Sequence, residues 1–256
     1  MTGVAWPPVE VYRDDPVDLT GLDEVATLVW GALLSLDETL AAPWCLVGGQ
    51  AVVLHCLERG VTPVRATDDG DVVVDVFASR GALSAATSVL DDLGFAQRTD
   101  NGGYGYRWVN GAAHIDVLVP ERANAQRRPA LTRRGARSVE TPAAQQAIAR
   151  AERVPVLLPF RSGRVPRPDL LGTIVVKAAA AVADTRDPER HLQDIAVLCS
   201  LAPGPDLVRM LDRVTPKDRR RLRRVAPRLA PGASAWRHAR DPVAAADVFG
   251  LLLEDS

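Results

Sequence analysis

The sequence predicts an α+β protein, with a mixed sheet flanked by helices and a helical domain after it. Three observations carry this. Strand-like and helix-like runs alternate over about the first 160 residues. Within them, Asn110-Gly111 stands between two β-prone runs, the strongest short hairpin signal because a type I′ turn needs positive φ at both central positions. From Pro168 onward the apolar residues recur at helical spacing, broken by Pro and Gly. Strands early and helices late are the mark of segregated α+β architecture.

The elements follow in order. Residues 1–20 are rich in Pro and Asp and read as an irregular lead-in. Gly21 to Leu40 places Leu22, Val25, Leu28, Val29, Ala32, Leu33 and Leu36 mainly at steps of three and four, a helix. Trp44 to Val47 is a short apolar run ending in Gly48-Gly49, and Gln50 to Glu58 reads as a helix. Val72 to Phe77 is β-branched and strand-like, and Gly81 to Leu93 is helical. The hairpin spans Tyr104 to Pro120. Residues 121–140 hold Arg122, Arg127, Arg128, Arg133, Arg134 and Arg137 around Pro129 and Gly135, a basic loop. A helix is expected at Ala143–Glu152 and a strand at Val154–Leu158. Asp169–Asp184, Glu189–Leu201, Asp206–Val214, Lys217–Arg224 and Val243–Leu253 read as the helices of the second domain.

Composition removes several classes. Hydrophobic residues make up 47% of the 256 and charged residues 25%, ordinary globular values that exclude whole-chain disorder. A net charge of −1 excludes a globally basic nucleic-acid coat and leaves room for local basic patches. Cys45, Cys56 and Cys199 form neither a disulfide framework nor a CxxC zinc pattern, so a reducing cytoplasm is the expected compartment. Residues 1–16 lack the apolar core of a secretory signal. The longest apolar stretch, Leu170 to Ala183, contains Lys177 and is too short to span a bilayer.

Chemistry concentrates between Leu46 and Asp116. Gly48 and Gly49, between a strand and a helix, suit a phosphate, because glycine lets the backbone approach closely and helix N–H groups favour an anion. Taken alone they read first as turn glycines. Asp69 and Asp71 at i and i+2 of a strand face one side, about 6.6 Å apart in rise. Paired carboxylates repel unless a cation lies between them, and Mg²⁺ binds through one or two carboxylates plus phosphate oxygens. The other reading is a solvated acidic turn. Asp116 lies in His114-Ile-Asp-Val, on the face opposite Ile115 and Val117, and Asp is disfavoured in strands. A neighbouring strand could set it beside the other two acids, giving three carboxylates for one or two metal ions. Lys177 and Lys217 are the two lysines among 31 basic residues. A lone lysine among Val and Ala either faces a cleft or a carboxylate, or snorkels from a surface helix. His55 and His114 show no zinc spacing and read as core or supporting residues.

Together, Gly48-Gly49, a helix, Arg65-Ala-Thr67-Asp-Asp69-Gly-Asp71 and a later strand aspartate at Asp116 resemble the nucleotidyltransferase superfamily, the polymerase-β-like fold. The resemblance implies that Gly48 and Gly49 meet a triphosphate. It implies Asp69, Asp71 and Asp116 as metal ligands, with Asp116 also assisting deprotonation of an acceptor hydroxyl. Arg65 and Thr67 match the polar residues that precede the first acid. Gly70 departs from the apolar residue usual between the acids, and Glu58–Val64 is a longer insert than compact members carry. Arg167 to Lys177, Asp184-Thr-Arg186 and His191-Leu-Gln-Asp194 look like the AbiEii-like toxin branch, with Arg190-His191 where Lys-Asp is usual. That likeness implies Lys177 on nucleotide phosphates and Asp194 orienting it.

The resemblance thus implies a core over 21–160, a helical domain over 161–256, and a Mg²⁺-dependent enzyme. It would move a nucleoside monophosphate from an NTP such as ATP to a hydroxyl of tRNA or protein, with an antitoxin protein as a further partner and no membrane. The alternatives are a small-molecule (aminoglycoside-type) nucleotidyltransferase and a non-catalytic nucleotide- or RNA-binding member of the fold. Lys217 to Arg224 carries six positive charges against one negative, which could track a phosphate backbone or simply be a solvated face.

Overall fold

The computed structural model describes residues 15–63, 67, 69–202 and 204–255. The chain divides into two compact units, one of residues 1–51 with 67–168, the other of 52–66 with 169–256.

In the first unit come β1 (Val17–Asp18), α1 (Glu24–Thr39), β2 (Trp44–Val47) and the first turn of α2 (Gly48–Glu58). β3 (Asp69–Val74), α3 (Ala82–Asp92), β4 (Ala96–Arg98), β5 (Arg107–Asn110) and β6 (Ala113–Pro120) follow. β7 (Glu140–Thr141), α4 (Ala144–Ala149), β8 (Ala151–Leu157) and β9 (Ser162–Pro168) complete it. The larger sheet runs β2-β3-β6-β5-β4, with β7 along β6. β3 and β6 are parallel, and β2/β3, β6/β5 and β5/β4 are antiparallel. β1, β8 and β9 make a second small sheet in that order.

The α+β architecture read from the sequence is thus the one the chain adopts, with a mixed sheet and flanking helices. α1 starts where Asp23 caps it, accepting from Ala26 N at 2.8 Å. Its Val29, Trp30 and Leu33 are buried, Val29 and Leu33 over Gly70 of the sheet. Gly70 of β3 lies under that helix. A Cβ there would stand 3.0 Å from Val29 Cγ1 and 3.4 Å from Ile115 Cγ1, so α1 takes the space that an apolar residue between the acids would fill.

Several local readings differ from the structure: β3 starts at Asp69 rather than Val72, and β4 and β7 have no counterpart among the expected strands. The hairpin loop is Gly111-Ala112, not Asn110-Gly111, because Asn110 pairs with Ala113. Positive φ falls on Gly111 alone among the loop residues, as a type II′ turn requires, rather than on two residues as in I′. The helix expected at Ala143–Glu152 stops at Ala149, and Ala151 and Glu152 join β8. Val17 and Asp18, within the expected lead-in, pair with Val156 and Leu157. Finally, β9 pairs along the whole of β8, and both belong to the first compact unit, which includes Pro168.

The second unit holds the rest of α2 with α5 (Leu170–Ala183), α6 (Glu189–Ser200), α7 (Gly204–Arg213), α8 (Pro216–Val225) and α9 (Pro242–Leu253). Two 3₁₀ turns, Ala226–Leu229 and Ser234–His238, lie between α8 and α9. Its core joins Val52 and Cys56 to Ile174, Ile195, Leu222 and Phe249. Asp169 caps α5 at Gly172 N, 2.6 Å, and Thr215 with Asp218 forms a reciprocal capping box on α8. Among the described residues, no helix is long and apolar enough to cross a membrane.

Candidate active site

The chemistry-bearing residues of the first unit gather at the ends of β2, β3 and β6. β2 is fully buried and delivers the chain to Gly48, whose φ is +68°. A side chain there would be strained, and its Cβ would overlap the carboxylate of Asp71. At Gly49 a Cβ would come 2.8 Å from Thr67 Oγ1. Both glycines are therefore required by close approach of other groups, in addition to opening the N-terminus of α2. Buried Gln50 donates from Nε2 to the Thr67 carbonyl at 2.5 Å and pins the segment before β3 to this turn.

Asp69 and Asp71 alternate on β3, as their spacing predicts. β6 runs parallel beside it with Asp71 opposite Asp116 and Asp69 opposite His114. In-register partners on neighbouring strands share a sheet face, with the strands about 4.8 Å apart. The three aspartates thus occupy one face across two strands. Burial pushes the Asp69 carboxyl upward, but the Thr67 hydroxyl, which donates to Oδ1, and the nearby His114 and Arg107 outweigh it, and the net displacement is below the usual carboxylate range. His114 Nε2 stands 4.0 Å from Asp69 Oδ2.

Arg107, not singled out in the sequence, belongs to the same face. It lies opposite Asp116 on the other side of β6. It donates from Nε to Asp116 Oδ1 at 2.8 Å and from Nη2 to Oδ2 at 2.7 Å. Its guanidinium is held charged more firmly than usual, chiefly by that hydrogen-bonded pair, with Asp69 adding to the effect. The signal was present in the hairpin: a loop at Gly111-Ala112 pairs residue 107 with 116, whereas one at Asn110-Gly111 pairs 105 with 116.

Asp69 and Asp71 supply hard oxygen donors of the kind Mg²⁺ takes, so the residue types fit a divalent cation. Asp116 has both oxygens engaged by Arg107, and among the described residues no three His, Cys, Asp or Glu side chains gather as a metal cluster. The face fits such an ion through the two β3 acids, and through Asp116 where Arg107 yields an oxygen.

The other expected site residues lie elsewhere. Arg65 falls outside the described residues. Lys177 and Asp194 belong to the second unit, where Lys177 is 3% exposed and donates to Asp194 Oδ2 at 2.6 Å. Of the two readings of this lysine, the structure gives the carboxylate partner and not the snorkel. His55 is buried, its Nε2 2.9 Å from Thr173 Oγ1, a core role and not a metal ligand's.

No protein-family model and no curated protein matches the chain. Among solved structures, an antigenic nucleotidyltransferase-like protein from Paracoccidioides brasiliensis is similar at a TM-score of 0.52 and 17% identity, over 87% of this chain and 96% of that one. The solution structure of the antibiotic-resistance factor ANT(2'')-Ia gives 0.41 and 18%, over 72% of this chain and 88% of that one. The first likeness shows a shared fold, and the fold of this chain is nucleotidyltransferase-like.

Proposed function

We propose that the chain is a nucleotidyltransferase that moves a nucleoside monophosphate from an NTP to an acceptor hydroxyl and releases pyrophosphate. One observation carries the reading: Asp71 stands in register with Asp116, while the α-carbon of Gly48, at the start of a helix, lies against the Asp71 carboxylate. A glycine turn that opens a helix therefore adjoins paired acids. A nucleotidyltransferase-like fold in a solved structure supports it.

In this reading the backbone at Gly48 and Gly49 receives the triphosphate, and Arg65 is assigned to the nucleotide on the resemblance alone. Asp69 and Asp71, with Asp116, would hold Mg²⁺, which when bound neutralises phosphate charge and lowers the pKa of the attacking oxygen. Thr67 fixes the orientation of Asp69 through its hydroxyl. Asp116 receives the proton of the acceptor hydroxyl. Lys177 and Asp194 are proposed, on the toxin-branch resemblance alone, to serve the nucleotide. Positioning and electrostatics do most of the work in such transfers.

For the acceptor we propose tRNA, with an antitoxin protein as regulator and ATP among the donors tried. Exposed Lys217, Arg220 and Arg224 on one face of α8 favour RNA over a small cationic substrate. The test is incorporation of α-labelled NTPs into total RNA with Mg²⁺, beside Asp69→Ala/Asp71→Ala. Label in tRNA that vanishes in the variant is the expected result. Label on protein bands reassigns the acceptor, and no transfer to RNA, protein or aminoglycoside overturns the enzyme reading.

A further inference from the structure

Asp116 is flanked on one sheet face by Asp71, in register on β3, and by Arg107, in register on β5 and bonded to its carboxylate. Its side chain is 9% exposed and fixed on a central strand, while that of Arg107 is 43% exposed. The carboxylate cannot leave the face; the guanidinium can swing into solvent. Two parallel N–H donors occupy both carboxylate oxygens, the bidentate pairing that makes a strong, geometrically specific charge-assisted contact. A divalent ion drawn to the same acids must either take an oxygen from Arg107 or sit beside its positive charge. Both disfavour the ion.

We propose that Arg107 is the built-in counter-cation of this carboxylate face: it competes with a divalent ion for Asp116 and so sets how tightly the face takes one. This rests on the reading of Asp69, Asp71 and Asp116 as the metal ligands. Arg107 is accordingly a positioning residue for Asp116, acting through that carboxylate. A purely structural arginine would behave differently, because its loss would loosen the face and weaken ion binding.

Calorimetric titration with Mn²⁺ alone separates the two. Arg107→Gln keeps an amide donor and removes the charge; it is expected to bind Mn²⁺ five- to fiftyfold more tightly than the wild-type chain. Arg107→Lys keeps the charge with one contact; it is expected to gain two- to fivefold, and it decides the matter should the glutamine variant not fold. Adding Asp116→Asn to Arg107→Gln should erase the gain. Affinity equal to or below wild type in the arginine variants overturns the proposal, as does absence of Mn²⁺ binding in all of them. Tighter Mn²⁺ binding without nucleotide transfer would sink the enzyme reading and leave this inference standing. Transfer with unchanged affinity would do the reverse.

Discussion

Gly48 shows how much one residue can carry. Its φ of +68° disfavours any side chain, and the Asp71 carboxylate fills the place a Cβ would need. Gly48→Ala therefore has two penalties at one position, and we expect a loss of about 1–3 kcal/mol. In a chain of this length that lowers Tm by several degrees. Because the displaced group is Asp71 itself, NTP-dependent transfer should fall tenfold or more at temperatures where the variant remains folded. A variant with wild-type Tm and wild-type transfer would show that the close approach is unimportant. The aspartates and this glycine were legible in the sequence because their reasons are local: strand alternation for Asp69 and Asp71, a turn before a helix for Gly48. Arg107 was not, because a one-residue shift in the hairpin loop changes which residue faces Asp116, and Asn-Gly is the stronger turn signal on paper.

Among the elements, α5 and α6 bury a polar cluster inside an apolar helix pair. Lys177 and Asp194 are each at most 5% exposed and 2.6 Å apart. Removing one partner leaves a buried charge, so Lys177→Met should cost about 3–5 kcal/mol in urea unfolding, with part of it recovered by adding Asp194→Leu. A cost under 1 kcal/mol would contradict this burial. His191, on the same helix as Asp194, is held neutral. Burial first, then the charge of Lys177, with Arg190 adding, bring its pKa down to about 4, against the pull of Asp184 and Asp194. Between about pH 6.5 and 4 the unfolded chain binds a proton at this residue that the folded chain does not. Stability should therefore fall as pH drops through that window, by up to about 3 kcal/mol, and His191→Gln should flatten the profile there. An equally steep profile in the variant would assign the acid sensitivity elsewhere. Elements of this kind were readable from apolar spacing. β9 was not, since Pro166 and Pro168 argue against a strand; they are tolerated because β9 is an edge. Pro155 of β8 escapes the same rule because β1 reaches only Val156 and Leu157.

At the scale of the whole molecule, a net charge of −1 conceals a segregation of charge. Many exposed arginines are already matched: Arg223 with Asp255, Arg228 with Glu189, Arg213 with Asp169 and Arg134 with Asp91. Lys217, Arg220 and Arg224 recur at i, i+3 and i+7 of α8 and are exposed together, opposite buried Leu222 and Val225. Such a stripe can follow a phosphate backbone, where each neutralised phosphate contributes about 0.7–0.9 to the slope of log K against log salt. If tRNA docks there, the charge reversal Lys217→Glu/Arg220→Glu/Arg224→Glu should weaken tRNA binding at least tenfold at low salt and flatten that slope by roughly 2–3. These three side chains face outward on a helix whose core residues are untouched, so circular dichroism and Tm should stay near wild type. An unchanged slope would leave the stripe as a solvated face. The exposed arginines of 121–137 in the first unit, Arg127 and Arg128 foremost, would then be next to reverse, because they form a second exposed group of cations.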